Sequence, residues 1–161
     1  MIQSAESYLT FKLDSQLFAI NVSKILEILE VKPITKVPKS PPFMKGVINL
    51  RGNVLPVIDT RNKFRMPDES FTIDTCIIVL NINIGKDTLL VGAVVDSVQK
   101  VIDIPAEAIK PSLSMGAIYR EDFLNAIGKI DEEFVMILNI DKVFSAEDFS
   151  LIKADNLIEE L

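Results

Sequence analysis

The sequence predicts a mostly β protein of the barrel or sandwich class, and three observations carry that prediction. Runs such as Tyr8-Leu9-Thr10-Phe11-Lys12-Leu13 alternate with the period of two that marks a half-buried strand. Roughly ten such short extended runs follow one another at near-regular spacing, separated by Gly, Pro, Asn and Asp. Helical periodicity is confined to a few short stretches and the C-terminus.

In chain order, residues 8–13 and 17–20 flank Asp14-Ser15-Gln16 and read as a hairpin. The period then changes. Ser23, with Glu27 beyond it, predicts the capped start of a short helix over 24–29 that carries Ile25, Ile28 and Leu29 on one face. That face, with Val31 following, reads as core, with a groove as the alternative. A short strand is expected at 34–37, closed by Pro38, Pro41 and Pro42. A polar connector spans 61–69 and reads as a solvated loop. Two strands rich in Ile and Val follow at 75–82 and 89–95, the second interrupted by Gly92. Another strand fits 97–104, and Pro105 starts one helical turn over 105–109. Loop is expected at 111–117, then strands at 119–127 and 134–140. A helix over 145–161 closes the chain, with Phe149, Ile152, Leu157, Ile158 and Leu161 as its apolar stripe. The two halves hold comparable sets of strands without a clear sequence repeat.

The stretch 45–59 is the centre of this organisation. Val47 to Leu50 and Val54 to Ile58 are apolar strands hinged at Arg51-Gly52-Asn53, where Gly52 and Asn53 tolerate positive φ. Such a turn presents Arg51 at its rim, and a guanidinium offers a fork of donors suited to a carboxylate. Between Lys45 and Asp59 at its ends the stretch carries no acid, general base or nucleophile, so it suits a binding edge better than a reaction centre.

Composition limits what the protein can do. A chain of 161 residues is one domain or two intimately packed subdomains and needs neither disulfide nor metal to fold. A net charge of −6 opposes nucleic acid as a partner, since phosphate binding needs a basic face. Cys76 is the single cysteine and lies in an apolar run, which predicts a buried, inert thiol. With no His, the chain lacks the usual zinc ligands, the commonest general base at neutral pH and any phosphohistidine relay. Asp59, Asp96 and the run Asp131-Glu132-Glu133 supply carboxylates. Glycoside hydrolysis with such a pair generally needs an aromatic cleft, and the chain has no Trp and only 2 Tyr. A phosphoacceptor role for Asp59 needs clustered acids and a Lys that the order of elements does not place together. The sequence therefore predicts no enzyme and no cofactor. No apolar run approaches the ~20 residues of a membrane span and the N-terminus does not resemble a signal peptide, so a soluble, cytoplasmic protein is expected.

The order of several motifs resembles the CheW family of bacterial chemotaxis coupling proteins. They are Tyr8-Leu9-x-Phe11, Ile25-Leu26-Glu27-Ile28, Pro42-Phe43-Met44-Lys45-Gly46-Val47-Ile48-Asn49-Leu50-Arg51-Gly52, Leu55-Pro56-Val57-Ile58-Asp59 and Val94-Val95-Asp96-x-Val98. The resemblance covers about 8–144, within a single domain of 1–161. It implies two five-stranded Src-homology-like barrels in pseudo-twofold arrangement with a groove between them. It also implies an adaptor, without catalysis, that joins the cytoplasmic tip of methyl-accepting chemoreceptors to the histidine kinase CheA in membrane-associated arrays. A scaffold of a non-flagellar chemosensory pathway is the alternative. Carried over by position, Ile25, Ile28 and Val31 fall on the apolar receptor groove. Glu27, Lys45 and Arg51 fall on its polar surround, where a Glu27–Arg51 ion pair is expected. Gly46 and Gly52 support the backbone and kinase contact. Departures from the family pattern are Ala19, Asn21, Thr60 and Asn125.

Overall fold

The computed structural model describes residues 6–111, 124–144, 147, 148 and 150–152. The strands are β1 (Glu6–Leu13), β2 (Gln16–Asn21), β3 (Ile25–Glu30), β4 (Met44–Leu50), β5 (Asn53–Asp59), β6 (Cys76–Ile84), β7 (Asp87–Val95), β8 (Ser97–Ile104), β9 (Ile109–Pro111), β10 (Leu124–Ile130) and β11 (Glu133–Leu138). Two short helices, α1 (Thr60–Lys63) and α2 (Ile140–Val143), follow β5 and β11. The strands form a five-stranded sheet ordered β3-β6-β7-β5-β4 and a six-stranded sheet ordered β8-β1-β2-β11-β10-β9. The first is the first barrel and the second, which takes its strands from both ends of the chain, is the second barrel. The expected pair of five-stranded barrels thus gains a sixth short strand, β9, on the second.

Burial follows from strand alternation. Ile77 and Val79 on β6 join Ile48, Leu55, Val57 and Val94 in a small core inside the first barrel. Tyr8, Ala19, Ile104, Ala126, Val135 and Ile137 form its counterpart inside the second. The opposite faces of the same strands meet between the barrels. There Leu9, Phe11, Phe18 and Ile20 pack with Ile78, Leu80, Val91 and Val95 in the largest core of the molecule. Phe11 stacks on Phe18 and Phe18 on Phe64, each pair at 5.7 Å between ring centroids. This aromatic run crosses from the second barrel to the segment after α1.

Three tight hairpins use two residues at positive φ: Asp14-Ser15, Arg51-Gly52 and Asp131-Glu132. At the central hairpin the positive-φ residues are therefore Arg51 (52°) and Gly52 (86°), not Gly52 and Asn53, because Asn53 already pairs with Leu50.

Further expectations change. The short helix expected over 24–29 is a 3-10 turn, Val22–Lys24, followed by strand β3. Asn21, not Ser23, caps that turn, accepting the Ser23 N–H at 3.0 Å. The strand expected at 34–37 shrinks to a single bridge, Thr35 to Val47. Prolines at 33 and 38 remove the donors and φ freedom that a longer ladder needs. Connector residue Arg61 is buried, not solvated. Cys76 is partly exposed, since it begins β6 beside the open end of β3. The strand expected at 119–127 is described as Leu124–Ile130, and 119–123 lie outside the described residues. Of the expected C-terminal helix, 147, 148 and 150–152 are helical, with Ile152 fully buried in the inter-barrel core; 145, 146, 149 and 153–161 lie outside the described residues.

Candidate partner-binding site

β3 is an edge strand of the first barrel and the element on which the sequence-predicted residues converge. A bulge sets their directions. Ile25 pairs with Leu80 and Glu27 with Val79, so Leu26 is the extra residue. Past it, Ile28 pairs with Ile78 and Leu29 with Ile77. Ile25 and Ile28 therefore share a face with Leu80 and Ile78, which line the inter-barrel core. Glu27 and Leu29 share the opposite face with Val79 and Ile77, inside the first barrel. Ile25 packs on the inter-barrel core, whereas Ile28 is 43% exposed at its margin. Leu26 at the bulge is 57% exposed, an apolar surface residue that the helical reading of 24–29 did not single out. Val31, just past the strand, is half-buried.

The expected ion pair is present. Arg51 donates from Nη1 and Nη2 to the two Glu27 oxygens at 2.6 and 2.8 Å. It links the β4–β5 turn to β3, the two edges of the sheet, and so closes the first barrel. Asn49 Oδ1 accepts the Gly52 N–H at 2.8 Å and fixes the turn that carries Arg51. The Arg51 hydrogen bonds lower the Glu27 carboxyl below its ordinary value against a small cost of burial, and the Arg51 and Lys32 charges add to the lowering. The Glu27 hydrogen bonds and charge raise Arg51 in turn.

Lys45 is not brought to this pair. It is the extra residue of a second bulge, between Met44 and Gly46. Six residues of strand separate it from Arg51, about 20 Å. Its ammonium lies 4.0 Å from Asp59 and 5.0 Å from the Phe71 ring centre. The two glycines also differ. A Cβ on Gly46, at φ 151°, would lie 2.3 Å from the Thr35 carbonyl oxygen, so Gly46 lets the 33–38 strap cross β4. A Cβ on Gly52 would meet nothing within 4 Å, and its need for glycine is the turn's φ of 86°.

One group of functional weight escaped the sequence reading. Arg61, 8% exposed, donates to both Asp96 oxygens at 3.0 and 2.5 Å and to the Pro67 carbonyl at 2.9 Å. Glu69 lies 2.8 Å and Asp14 3.6 Å from the same guanidinium. The Asp14 N–H also donates to Asp96 at 2.8 Å. This network ties α1 of the first barrel to the β1–β2 turn of the second. Burial alone would raise the Asp96 carboxyl, but the Arg61 hydrogen bonds, the Asp14 N–H and the Arg61 charge outweigh it and leave it lowered. No local pattern announces the network, because its members come from four separate segments.

Among the described residues, no group of three His, Cys, Asp or Glu side chains could hold a metal ion, and no helix is long and apolar enough to cross a membrane. The site offers an apolar row, a fixed surface ion pair and an open strand edge, which are features that grip a partner.

Comparison with known proteins agrees with this geometry. Residues 7–148 match the CheW-like domain family. The chain is 33% identical over 147 residues to the chemotaxis protein CheW of Klebsiella aerogenes, covering 91% of this chain and 86% of that protein. It is 32% identical over 142 residues to chemotaxis protein CheW of Helicobacter pylori, covering 87% and 82%. The crystal structure of the scaffolding protein TtCheW from Thermoanaerobacter tengcongensis superposes with a TM-score of 0.78 at 28% identity, covering 89% of this chain and 95% of that one. Two barrels around a shared core, with the motifs of 42–59 on the β4–β5 hairpin, thus belong together for a reason of descent: the chain is a member of the CheW-like family of chemotaxis proteins.

Proposed function

We propose that the protein is a non-catalytic coupler that joins the cytoplasmic tip of methyl-accepting chemoreceptors to the histidine kinase CheA. The observation that carries this reading is the bulged β3. It leaves Ile28 exposed on the inter-barrel face in line with Ile25, with the Glu27–Arg51 pair on the other face of the same edge strand. An apolar row flanked by a charged pair is what the face of an amphipathic receptor helix requires. Ile25, Ile28 and Val31 take its apolar side chains, and Glu27 and Arg51 set its register. Lys45 meets a polar group of the receptor surface farther along β4. On the kinase side, the exposed Gly52 turn meets the CheA regulatory domain, and Gly46 contributes by holding the backbone there. The protein then works in the cytoplasm, recruited to membrane-associated receptor arrays. With no chemistry of its own, it acts by fixing receptor and kinase in a geometry that a small receptor shift biases. Modest single contacts gain strength through the array.

Co-sedimentation with CheA and a receptor signalling fragment tests the reading. The expected result is a ternary assembly with raised kinase activity, and receptor association about tenfold weaker for Arg51→Ala. Absence of binding to both partners would reject the coupling role. Undiminished receptor binding by Arg51→Ala would remove Arg51 from it.

A further inference from the structure

The chain passes between the two sheets twice, from β2 to β3 through Val22–Lys24 and from β7 to β8 through Asp96. Short crossings at strand ends are where a molecule of two barrels would flex. Each crossing is gripped by a helix of the barrel it leaves. Lys24, the last residue before β3, donates to Asp141 of α2 at 2.6 Å. Asp96, the last residue before β8, accepts from Arg61 of α1 through both its oxygens.

The two grips occupy matching places in the fold. Arg61 and Asp141 each stand second in the helix that follows β5 or β11. In each pair the carboxylate takes one further donor, a backbone N–H at the end of β1 or of its counterpart β6. Asp14 donates to Asp96 and Asn83 to Asp141, both at 2.8 Å. The charges, however, are exchanged. The helix supplies the cation opposite Asp96 and the anion opposite Lys24. No side chain is common to the two places, only the attraction between helix and crossing. An interaction that recurs with its polarity reversed acts as an electrostatic tie, not through the packing of a particular side chain. The ties are unequal. Arg61 is buried and also holds Glu69, Asp14 and the Pro67 carbonyl, whereas Lys24 and Asp141 are half-buried.

We propose that the two crossings are hinges, and that Lys24–Asp141 and Arg61–Asp96 are latches that fix the angle between the barrels. Lys24 and Asp96 directly precede the edge strands, so opening a latch frees the start of β3 or β8 as the barrels part. Lys24–Asp141, with fewer partners and more water around it, opens first. The device works in the free protein, whatever covers β3.

The test measures the distance between spin labels on the two barrels of the whole chain. They are attached at Lys36→Cys and Glu132→Cys, both exposed positions, with Cys76→Ser in the background. One narrow distance is expected for this background. Lys24→Glu sets two acids against each other and should add a second, longer distance. Lys24→Glu with Asp141→Lys reverses the pair, giving it the polarity of the other latch, and should bring back the single distance. Asp96→Asn keeps its shape without its charge and should widen the distribution at the other hinge. A single, unshifted distance in either Lys24→Glu or Asp96→Asn overturns the two-latch arrangement even where thermal melting falls, because the pair then stabilises without setting an angle. A reversed pair as broad as Lys24→Glu also overturns it, since charge attraction is then not what holds the crossing. So does a broad distribution in the background protein itself.

Discussion

Strand for strand, β8-β1-β2-β11-β10 in the second barrel repeats β3-β6-β7-β5-β4 in the first. Each has an edge strand, a hairpin, one parallel junction and a second hairpin. The irregularities repeat too. Bulges fall in the edge strands, at Leu26 and at Gln99-Lys100, and in the outer hairpin strands, at Lys45 and Asn125. Even β9 has a counterpart in the single Thr35–Val47 bridge, which flanking prolines keep from growing into a strand. Both edges expose an apolar residue at or beside the bulge, Leu26 at 57% and Val101 at 58%, and what differs is the bulge itself. In the first barrel the residues around the bulge, Leu26 and Ile28, are apolar and exposed. In the second the bulge carries Gln99 and Lys100, and Thr10 plugs it by donating to the Lys100 carbonyl at 2.8 Å and accepting the Lys100 N–H at 3.2 Å. One plan thus yields an apolar bulge left open on β3 and a polar one plugged by Thr10 on β8.

The comparison also implies that neither barrel stands alone, because the core between them exceeds the core inside either. Phe11→Ala tests this most severely. Phe11 is fully buried and stacked on Phe18, so its truncation should cost about 4 kcal/mol. Hydrogen exchange should quicken in β6 and β7 as well as in β1 and β2. Loss of protection confined to the second barrel would mean that the two fold independently.

Much of this was legible in the sequence and some was not, for identifiable reasons. Period-two alternation located β1 and β8, and short apolar runs bounded by turn residues, rich in Ile and Val in β6 and β7, located β2, β4, β5, β6, β7 and β11. β3 read as a helix because Ile25, Ile28 and Leu29 have helical spacing, and a bulge at Leu26 puts Ile25 and Ile28 on one face of a strand just as a helical turn would. Spacing alone does not separate the two. The repeat of the barrels was invisible because it preserves facing and register, not residue identity. The Arg61 network was invisible because a buried arginine is defined by carboxylates distant in sequence, whereas Glu27–Arg51 was accessible through the resemblance.

Removing the tie between barrels at Arg61 should have a smaller effect than opening their core. Arg61→Ala leaves Asp96 without its charged partner, and because Asp96 is partly solvated the cost should be about 2 kcal/mol near neutral pH. The pH dependence has a definite sign. Asp96 is lowered in the folded protein, so its contribution is complete above the ordinary carboxylate pKa of about 4 and is lost as pH falls through the lowered value. Denaturant unfolding at neutral and acid pH should show the gap between wild type and Arg61→Ala narrowing in acid. A gap that is constant or widens would show that Arg61 stabilises by packing alone.

The smallest effect comes from a position where the two barrels break their symmetry inside. β5 runs through Asp59 into α1 at Thr60, as β11 runs through Asn139 into α2 at Ile140. Asp59 caps its helix by accepting the Asn62 N–H at 3.1 Å, while Asn139 makes no such bond. Thr60 and Ile140 are equally buried, each at 6% exposure, but Thr60 Oγ1 has no hydrogen-bond partner among the described residues. A hydroxyl in that state has given up its water for nothing, while the apolar residue in the matching place of the second barrel carries no such cost. Thr60→Val keeps the shape and removes the orphaned group, so it should stabilise the protein by about 1 kcal/mol, read as a higher denaturant midpoint at unchanged slope. A lower midpoint would mean that the hydroxyl is satisfied and that the two helix starts are not equivalent in their needs.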